Sequence, residues 1–374
     1  MMKAKYFPFI FFFLLFSYLS LHAYLYRWLV WHFSMSSSVR AAARVAALLL
    51  CLSFPLSMFI HRKFPGDASG LFYLLAASWL GILLIWSTSA FCTDILEKAA
   101  GAVSLRVGRK EAGFFGLYIA GFMCAYGFWG YFKTPAVTEL HINLKNLPVE
   151  MDGFRLVQIS DIHLGNRFET DRFSRIMEKA AGLKPDIVVF TGDIIDPGFE
   201  CTDELKRSTG LLSARQGIFG VLGNHEFYAG LDRTLACYSR CGIRVLRNET
   251  VDAGGLQLAG VDDILAAGLG DAQIEAVLKK LEPKAPAVYL SHQPLKFSSA
   301  SGKGVGLMLS GHTHAGQIFP FNLFVRAFYP RYFKGLYRDK DSFLYVTSGA
   351  GSWGPPMRLF APAEIPLFVL HTAD

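Results

Sequence analysis

Residues 154–165 read Phe-Arg-Leu-Val-Gln-Ile-Ser-Asp-Ile-His-Leu-Gly, with a polar pair at Asp161 and His163. An apolar-rich run of this length, closed by a turn signal, predicts a buried strand over 154–160. The polar pair then stands just past the carboxyl end of the strand, where open α/β sheets gather their ligands. The arrangement recurs down the chain. A strand over 186–190 runs into Thr-Gly-Asp-Ile-Ile-Asp, ending at Asp196, and one over 217–222 runs into Gly-Asn-His-Glu, ending at Glu226. Helical spacing is expected over 171–182, 203–213 and 231–241, and further strands over 256–261, 287–290, 305–309, 343–347 and 367–371. Continuous Val/Ile/Leu strands alternating with helices specify an α/β fold whose sheets are covered by helices.

Five of the ten histidines fall in the short motifs that follow these strands: His163, His225, His292, His312 and His314. In Asp161-Ile-His163 and His312-Thr-His314, an extended backbone would put alternate side chains on one side, so that each pair grips one metal centre. Carboxylates, imidazoles and the Asn224 amide make a mixed oxygen–nitrogen set, which suits Mn, Fe or Zn better than Ca or soft copper. Gly192, Gly223 and Gly311 let the chain turn sharply after each strand and let a phosphate approach.

The order Asp-x-His, Gly-Asp-x-x-Asp, Gly-Asn-His-Glu, His and Gly-His-x-His resembles the calcineurin-like metallophosphoesterase superfamily over about 154–371. The resemblance implies an α/β/β/α sandwich of two sheets flanked by helices, with two metal ions at the strand ends. By position, Asp161, His163, Asp193 and His314 would bind one metal, and Asp193, Asn224, His292 and His312 the other, with Asp193 bridging. His225 would contact the phosphate and protonate the leaving oxygen. No ligand position is missing; Ala315 stands where the family usually has glycine. The implied reaction is hydrolysis of a phosphomonoester, phosphodiester or pyrophosphate bond, two cations neutralising the phosphate oxygens and activating water. Glu226 is either a residue that orients His225 or a solvated turn residue. Asp196, Asp262 and Asp263 read as outer partners or turn residues rather than ligands.

Before residue 135 the composition changes. Apolar segments over 6–26, 41–60, 71–92 and 112–132 each approach the ~20 residues that span a bilayer, and charged residues with Trp28, Trp31, Trp129 and Tyr131 bracket them. They explain a hydrophobic share of 52%, above the roughly 45–50% of soluble chains. The first could instead be a cleaved signal peptide behind Lys3 and Lys5, but it is long for one and has no small-x-small site. The expected layout is a transmembrane region over 1–135, a linker and domain entry over 136–153 and the catalytic domain over 154–374. These spans narrow the resemblance to membrane-associated metallophosphoesterases, among them transmembrane proteins with a metallophosphoesterase domain. Loops after the first and third spans carry seven basic residues against six on the other side, a slight lean toward an extracytoplasmic catalytic domain.

The net charge is +7, without a Lys/Arg block or a basic–aromatic stripe, so nucleic acid is a poor partner. A basic membrane protein that handles anionic phosphates fits. There is no Cys-x-x-Cys pair, and Cys201, Cys237 and Cys241 read as scattered thiols rather than a disulfide framework. Residues 317–337 mix Phe, Tyr, Arg and Lys, which suits a membrane interface or a lipid phosphate head; packing as a second small core is the alternative. The Gly-rich stretch from Ser348 to Arg358 either borders the substrate or is a tight structural loop. A sensor or transporter whose globular domain binds a phosphorylated ligand without turnover is the competing function. The full ligand set argues against it, and so does the lack of an acidic or histidine relay within the spans.

Overall fold

A computed structural model describes residues 7–165 and 169–373. It divides into two compact units, one of Met1–Gly130 with Ile318–Pro320 and Gly354–Leu359, the other of Tyr131–Gln317, Phe321–Trp353 and Phe360–Asp374.

The first unit is helical: α1 (Phe7–Phe33), α2 (Ser37–Lys63), α3 (Asp67–Ala102) and α4 (Arg109–Phe132), the last two residues of α4 belonging to the other unit. Among the described residues, α2, α3 and α4 are long and apolar enough to cross a membrane. Helix α1 covers the first expected span except Tyr6, which with Lys3 and Lys5 lies outside the described residues. Small residues let these helices pack closely. A Cβ on Gly116 would stand 2.8 Å from Thr93 Oγ1 and 2.9 Å from the Trp28 ring. Ser89 donates across to the Gly116 carbonyl at 2.7 Å. Two stretches from far down the chain belong to this unit. Ile318, Met357 and Leu359 form a cluster with Ile85, and the Arg358 N–H donates to the Gly127 carbonyl at 2.8 Å.

The second unit is the expected α/β sandwich. The strands are β1 (Ala136–Leu144), β2 (Phe154–Ile159), β3 (Ile187–Thr191), β4 (Ile218–Val221), β5 (Arg244–Val245), β6 (Glu249–Ala253), β7 (Leu256–Gly260), β8 (Ala287–Leu290), β9 (Leu307–Ser310), β10 (Gly335–Asp339), β11 (Ser342–Val346) and β12 (Glu364–Thr372). The helices are α5 (Thr170–Gly182), α6 (Asp203–Thr209), α7 (Asn224–Ala229), α8 (Leu231–Arg240), α9 (Asp271–Leu278), α10 (Phe297–Ala300) and α11 (Phe321–Phe328). They serve two six-stranded mixed sheets, ordered β1-β12-β2-β3-β4-β5 and β10-β11-β9-β8-β7-β6.

Period-two alternation explains the layers, since successive strand residues point to opposite faces. Leu156, Ile187, Val189 and Val221 meet Leu258, Val288, Leu290 and Leu309 between the sheets. Their neighbours Val157, Val188 and Phe190 turn outward onto Phe173, Ile176, Leu205 and Tyr238 of the helices. On the far side Ala259, Tyr289 and Met308 pack on Ile274, Val277 and Phe297.

The structure corrects the expected linker. Residues 136–144 form edge strand β1, paired in parallel with β12 from Ala136↔Glu364 to Leu144↔Thr372. Its Ile142 and Leu144 are buried in the inter-sheet core, so this stretch is part of the sandwich. Cys201 and Cys237 are also not separate thiols but a disulfide that ties the loop before α6 to α8.

Candidate metal centre

The sequence places its polar pairs after β2, β3, β4, β8 and β9, and the structure gathers them at one end of the sandwich. The loops after β2 and β3 continue the strand pairing as a zipper. Asp161 N–H donates to the Gly192 carbonyl, His163 N–H to that of Asp193 and Leu164 N–H to that of Ile194, at 2.9–3.0 Å.

Asp161, His163, Asp193, His312 and His314 have φ of 55°, 58°, 53°, 70° and 50°, a left-handed region that non-glycine residues rarely adopt. The extended geometry expected for the Asp-x-His and His-x-His pairs is therefore replaced by tight turns. Backbone strain of this kind persists where the surroundings over-determine it, commonly at functional sites. Close approach enforces glycine beside these turns. A Cβ on Gly192 (φ +86°) would lie 2.7 Å from His292 Nδ1, and one on Gly311 2.1 Å from Asp161 Oδ2.

Two groups of donor atoms converge. In one, Asp161, His163 and His314 lie together, with His163 Nε2 2.9 Å from His314 Nε2 and His314 Nε2 3.5 Å from Asp161 Oδ1. In the other, His292 Nε2 stands 3.1 Å from His312 Nδ1 and 3.1 Å from Asp193 Oδ2. His312 and His314 thus fall in different groups. Asp193 Oδ2 faces both, being also 3.8 Å from His163 Nε2, while its Oδ1 accepts the His225 N–H at 2.9 Å.

These residues fit cations. His163 Nδ1 donates to Asp196 Oδ1 at 2.8 Å, and His292 Nδ1 to the Thr191 carbonyl at 2.7 Å. Those partners fix the tautomers and leave the Nε2 lone pairs facing inward. Asn224 Oδ1 is buried without a hydrogen-bond partner, which a buried amide oxygen ordinarily has. Asp161, Asp193 and His292 are almost fully buried, and burial of paired carboxylates without a counter-charge is costly.

The charges around the site act on one another. Burial pushes Asp193 up, but His292, His225 and His163 outweigh it and hold its carboxyl well below the usual range. Burial, reinforced by Asp193, raises Asp161. For His225, burial lowers the imidazole pKa, yet Asp196 and Asp193 lift it to about 9.

Glu226 is neither a solvated turn residue nor a partner of the His225 ring. Fully buried, it accepts the N–H groups of Asp193, Ile194 and Gly223 at 2.7–2.9 Å and the Tyr238 hydroxyl at 2.6 Å. It therefore holds the turn that carries Asp193. Asp196 is the residue beside His225, with Oδ1 2.6 Å from Nδ1. Asp262 binds Arg247, and Asp263 caps the 265–266 turn and binds Gln293, so both are structural. The Gly-rich stretch is both brace and border. Ala350 and Gly351 N–H groups donate to the Ser160 and Asp161 carbonyls at 2.9 Å, and the half-exposed Trp353 ring lies 6.2 Å from that of His225. Tyr228 and Tyr329, 5.5 Å from His225 and His312, complete an aromatic rim that no motif announces. The aromatic insert also divides. Tyr332 and Tyr337 pack on the outer core of the second sheet, whereas α11 buries none of its residues.

The profile of the calcineurin-like phosphoesterase family matches residues 154–316. An uncharacterized metallophosphoesterase of Helicobacter pylori strain J99 is 34% identical over 79% of this chain and 81% of its own. The transmembrane protein with metallophosphoesterase domain of Bos taurus is 31% identical over 88% of this chain and 80% of its own; its namesake in Danio rerio is 31% identical over 80% and 74%. Likeness of that extent, over helices and sandwich alike, joins the convergent donors to one conclusion: the chain belongs to the calcineurin-like metallophosphoesterases, as a membrane-bound, metal-dependent phosphoester hydrolase.

Proposed function

We propose that the chain is anchored by its region 1–135 and hydrolyses a lipid-linked or otherwise amphiphilic phosphoester, with Asp161, His163, Asp193 and His314 holding one metal ion and Asp193, Asn224, His292 and His312 the second. The observation that carries the ligand assignment is Asp193 Oδ2, which lies within 3.1 Å of His292 Nε2 and 3.8 Å of His163 Nε2 and so faces both donor groups. Mn, Fe or Zn suits the mixed donor set. Two such ions supply Lewis acidity toward the phosphoryl oxygens and toward water. The chain's own residues do the rest. Asp196 aligns the His225 imidazole, and His225 donates a proton to the leaving oxygen. Trp353, Tyr228 and Tyr329 border the site on its open side.

The amphiphilic substrate is supported by α11, whose Leu323 and Phe328 are exposed beside the exposed Arg326. An apolar and basic helix surface of this kind suits the boundary between headgroups and acyl chains. The lean toward an extracytoplasmic site gains support from the Cys201–Cys237 bridge, since disulfides persist in oxidising compartments.

The test of the centre is elemental analysis of the full chain, purified without chelator and reloaded with Mn, alongside hydrolysis of bis-p-nitrophenyl phosphate. More than one ion per chain is expected, and Asp193→Asn should lose at least one ion together with turnover while the fold survives. A metal content near zero after reloading would overturn the assignment.

A further inference from the structure

We propose a third cation site, in the helical unit, where His32, Asp94 and Glu97 hold a divalent transition-metal ion such as Zn²⁺ or Mn²⁺. It lies where α1 and α3 finish and α4 begins. Asp94 and Glu97 are three residues apart on α3, a spacing that puts both carboxylates on one helix face. His32 comes from the last turn of α1 and is 1% exposed. One ligand atom from each of the three residues lies within 4.8 Å of the others.

The orientation of His32 is what points to an ion. Its Nδ1 donates to the Trp28 carbonyl at 3.0 Å, the backbone partner that typically fixes a metal-binding imidazole with its other nitrogen free to coordinate. That other nitrogen, Nε2, is buried and makes no hydrogen bond. It faces Glu97 Oε2 at 3.4 Å and Asp94 Oδ1 at 3.9 Å. A direct imidazolium–carboxylate hydrogen bond would close to about 2.7–2.9 Å. Two ligands of a tetrahedral zinc ion, each about 2.0–2.2 Å from it, stand roughly 3.4 Å apart. The separation therefore matches donors around a cation better than a donor meeting an acceptor.

The surroundings hold the three groups in place. The Tyr24 hydroxyl donates to Asp94 Oδ2 at 2.7 Å, which leaves Oδ1 turned toward His32. The Trp28 ring lies 4.5 Å from the imidazole. On α4, Gly113 permits close approach, because a Cβ there would stand 2.9 Å from that of His32. Asp94 and Glu97 keep 31% and 25% of their side chains exposed, so water can complete the coordination and ions can enter. One nitrogen and two carboxylates form a borderline-to-hard donor set, which excludes copper(I).

The experiment counts metal in the full chain in detergent. After chelator treatment and reloading with zinc, wild type should hold one equivalent more than the two of the catalytic pair. Glu97→Gln, which keeps the shape of the side chain, should lose that equivalent and still hydrolyse bis-p-nitrophenyl phosphate at the wild-type rate. Unchanged stoichiometry in both Glu97→Gln and Asp94→Asn would overturn the site and leave an imidazolium–carboxylate pair. Cobalt titration guards against a misfolded variant. In an Asp161→Asn, His163→Ala, Asp193→Asn, His292→Ala background, which disables both donor groups of the catalytic centre and leaves the bundle residues intact, a visible absorption band should saturate at one equivalent, and its absence would equally refute the site.

Discussion

Asp196 Oδ1 accepts from His163 Nδ1 at 2.8 Å and stands 2.6 Å from His225 Nδ1 as an ion-pair contact. One carboxylate therefore orients both an expected metal ligand and the expected proton donor. Asp196→Asn keeps the size and an oxygen at Oδ1 but removes the negative charge that holds both rings. Losing such an outer partner typically costs about 10–100-fold in metal affinity or activity, and a loss of that order in kcat/KM is expected here. His225→Ala should keep both ions and lose about 10²–10⁴-fold of turnover. The loss should shrink for p-nitrophenolate, which hardly needs a proton, relative to an alkoxide leaving group; equal losses on both would assign His225 to phosphate positioning instead. The motifs made the donor residues legible, because carboxylate and imidazole identities are written in the sequence. Their geometry was not. Five left-handed φ angles and the role of Glu226 arise from contacts among turns separated by more than thirty residues, and no local pattern encodes those.

The same limit shows in the elements. Strands buried on both faces, such as β2, β3 and β8, announce themselves as apolar runs. Edge strand β1 alternates between exposed and buried positions and reads as a tether until β12 arrives to pair with it, more than two hundred residues later. Glu364, at the start of β12, fastens that strand to both sheets. It accepts from Thr138 on β1 at 2.7 Å, from Tyr345 of β11 in the second sheet at 3.0 Å, and, just past that strand, from Thr347 at 3.0 Å and the Ser348 N–H at 2.8 Å. Removing the carboxylate strands four donors at about 1–3 kcal/mol each, so Glu364→Ala should destabilise the sandwich by at least about 4 kcal/mol, read as a fall in the thermal midpoint of the detergent-solubilised chain. Burial pushes the Glu364 carboxyl up, but the Ser348 N–H and the Thr138 hydroxyl outweigh it and hold it below the ordinary glutamate value. A depressed folded pKa gives stability that is present above the unfolded pKa and lost as pH falls through the folded one. The advantage of wild type over Glu364→Gln should therefore be full near neutrality and fade below about pH 4.

At the scale of the molecule, the hydrophobic third and the sandwich were both legible from composition and period. What escaped is how sequence is shared between the units. Ile318–Pro320 and Gly354–Leu359 belong to the helical unit, and the His32 cluster lies just beyond the spans read as 6–26 and 71–92, where a search for charges within spans does not reach. The Cys201–Cys237 bridge carries a prediction about sidedness. Fused after the last residue, alkaline phosphatase should be active and green fluorescent protein dark, and the reverse would place the catalytic domain in the cytoplasm. An amphiphilic substrate, as proposed, would be recognised through α11 because of where that helix falls in the chain. Helix α11 begins directly after Ile318–Pro320, a stretch that belongs to the helical unit. The same chain passes through His314 only seven residues before α11 begins. A lipid whose phosphate reaches the metals would thus have its acyl chains near Leu323 and Phe328, the exposed apolar residues of that helix. Binding energy from a remote tail can be spent at the reacting phosphate, and a soluble diester has no tail to supply it. Leu323→Ser with Phe328→Ser should therefore lower hydrolysis of a phospholipid phosphoester in vesicles at least tenfold, while bis-p-nitrophenyl phosphate is cleaved as before. Because both side chains are exposed, the pair should fold normally. An equal fall for both substrates would mean that α11 shapes the centre itself, and no fall for either would remove α11 from substrate recognition.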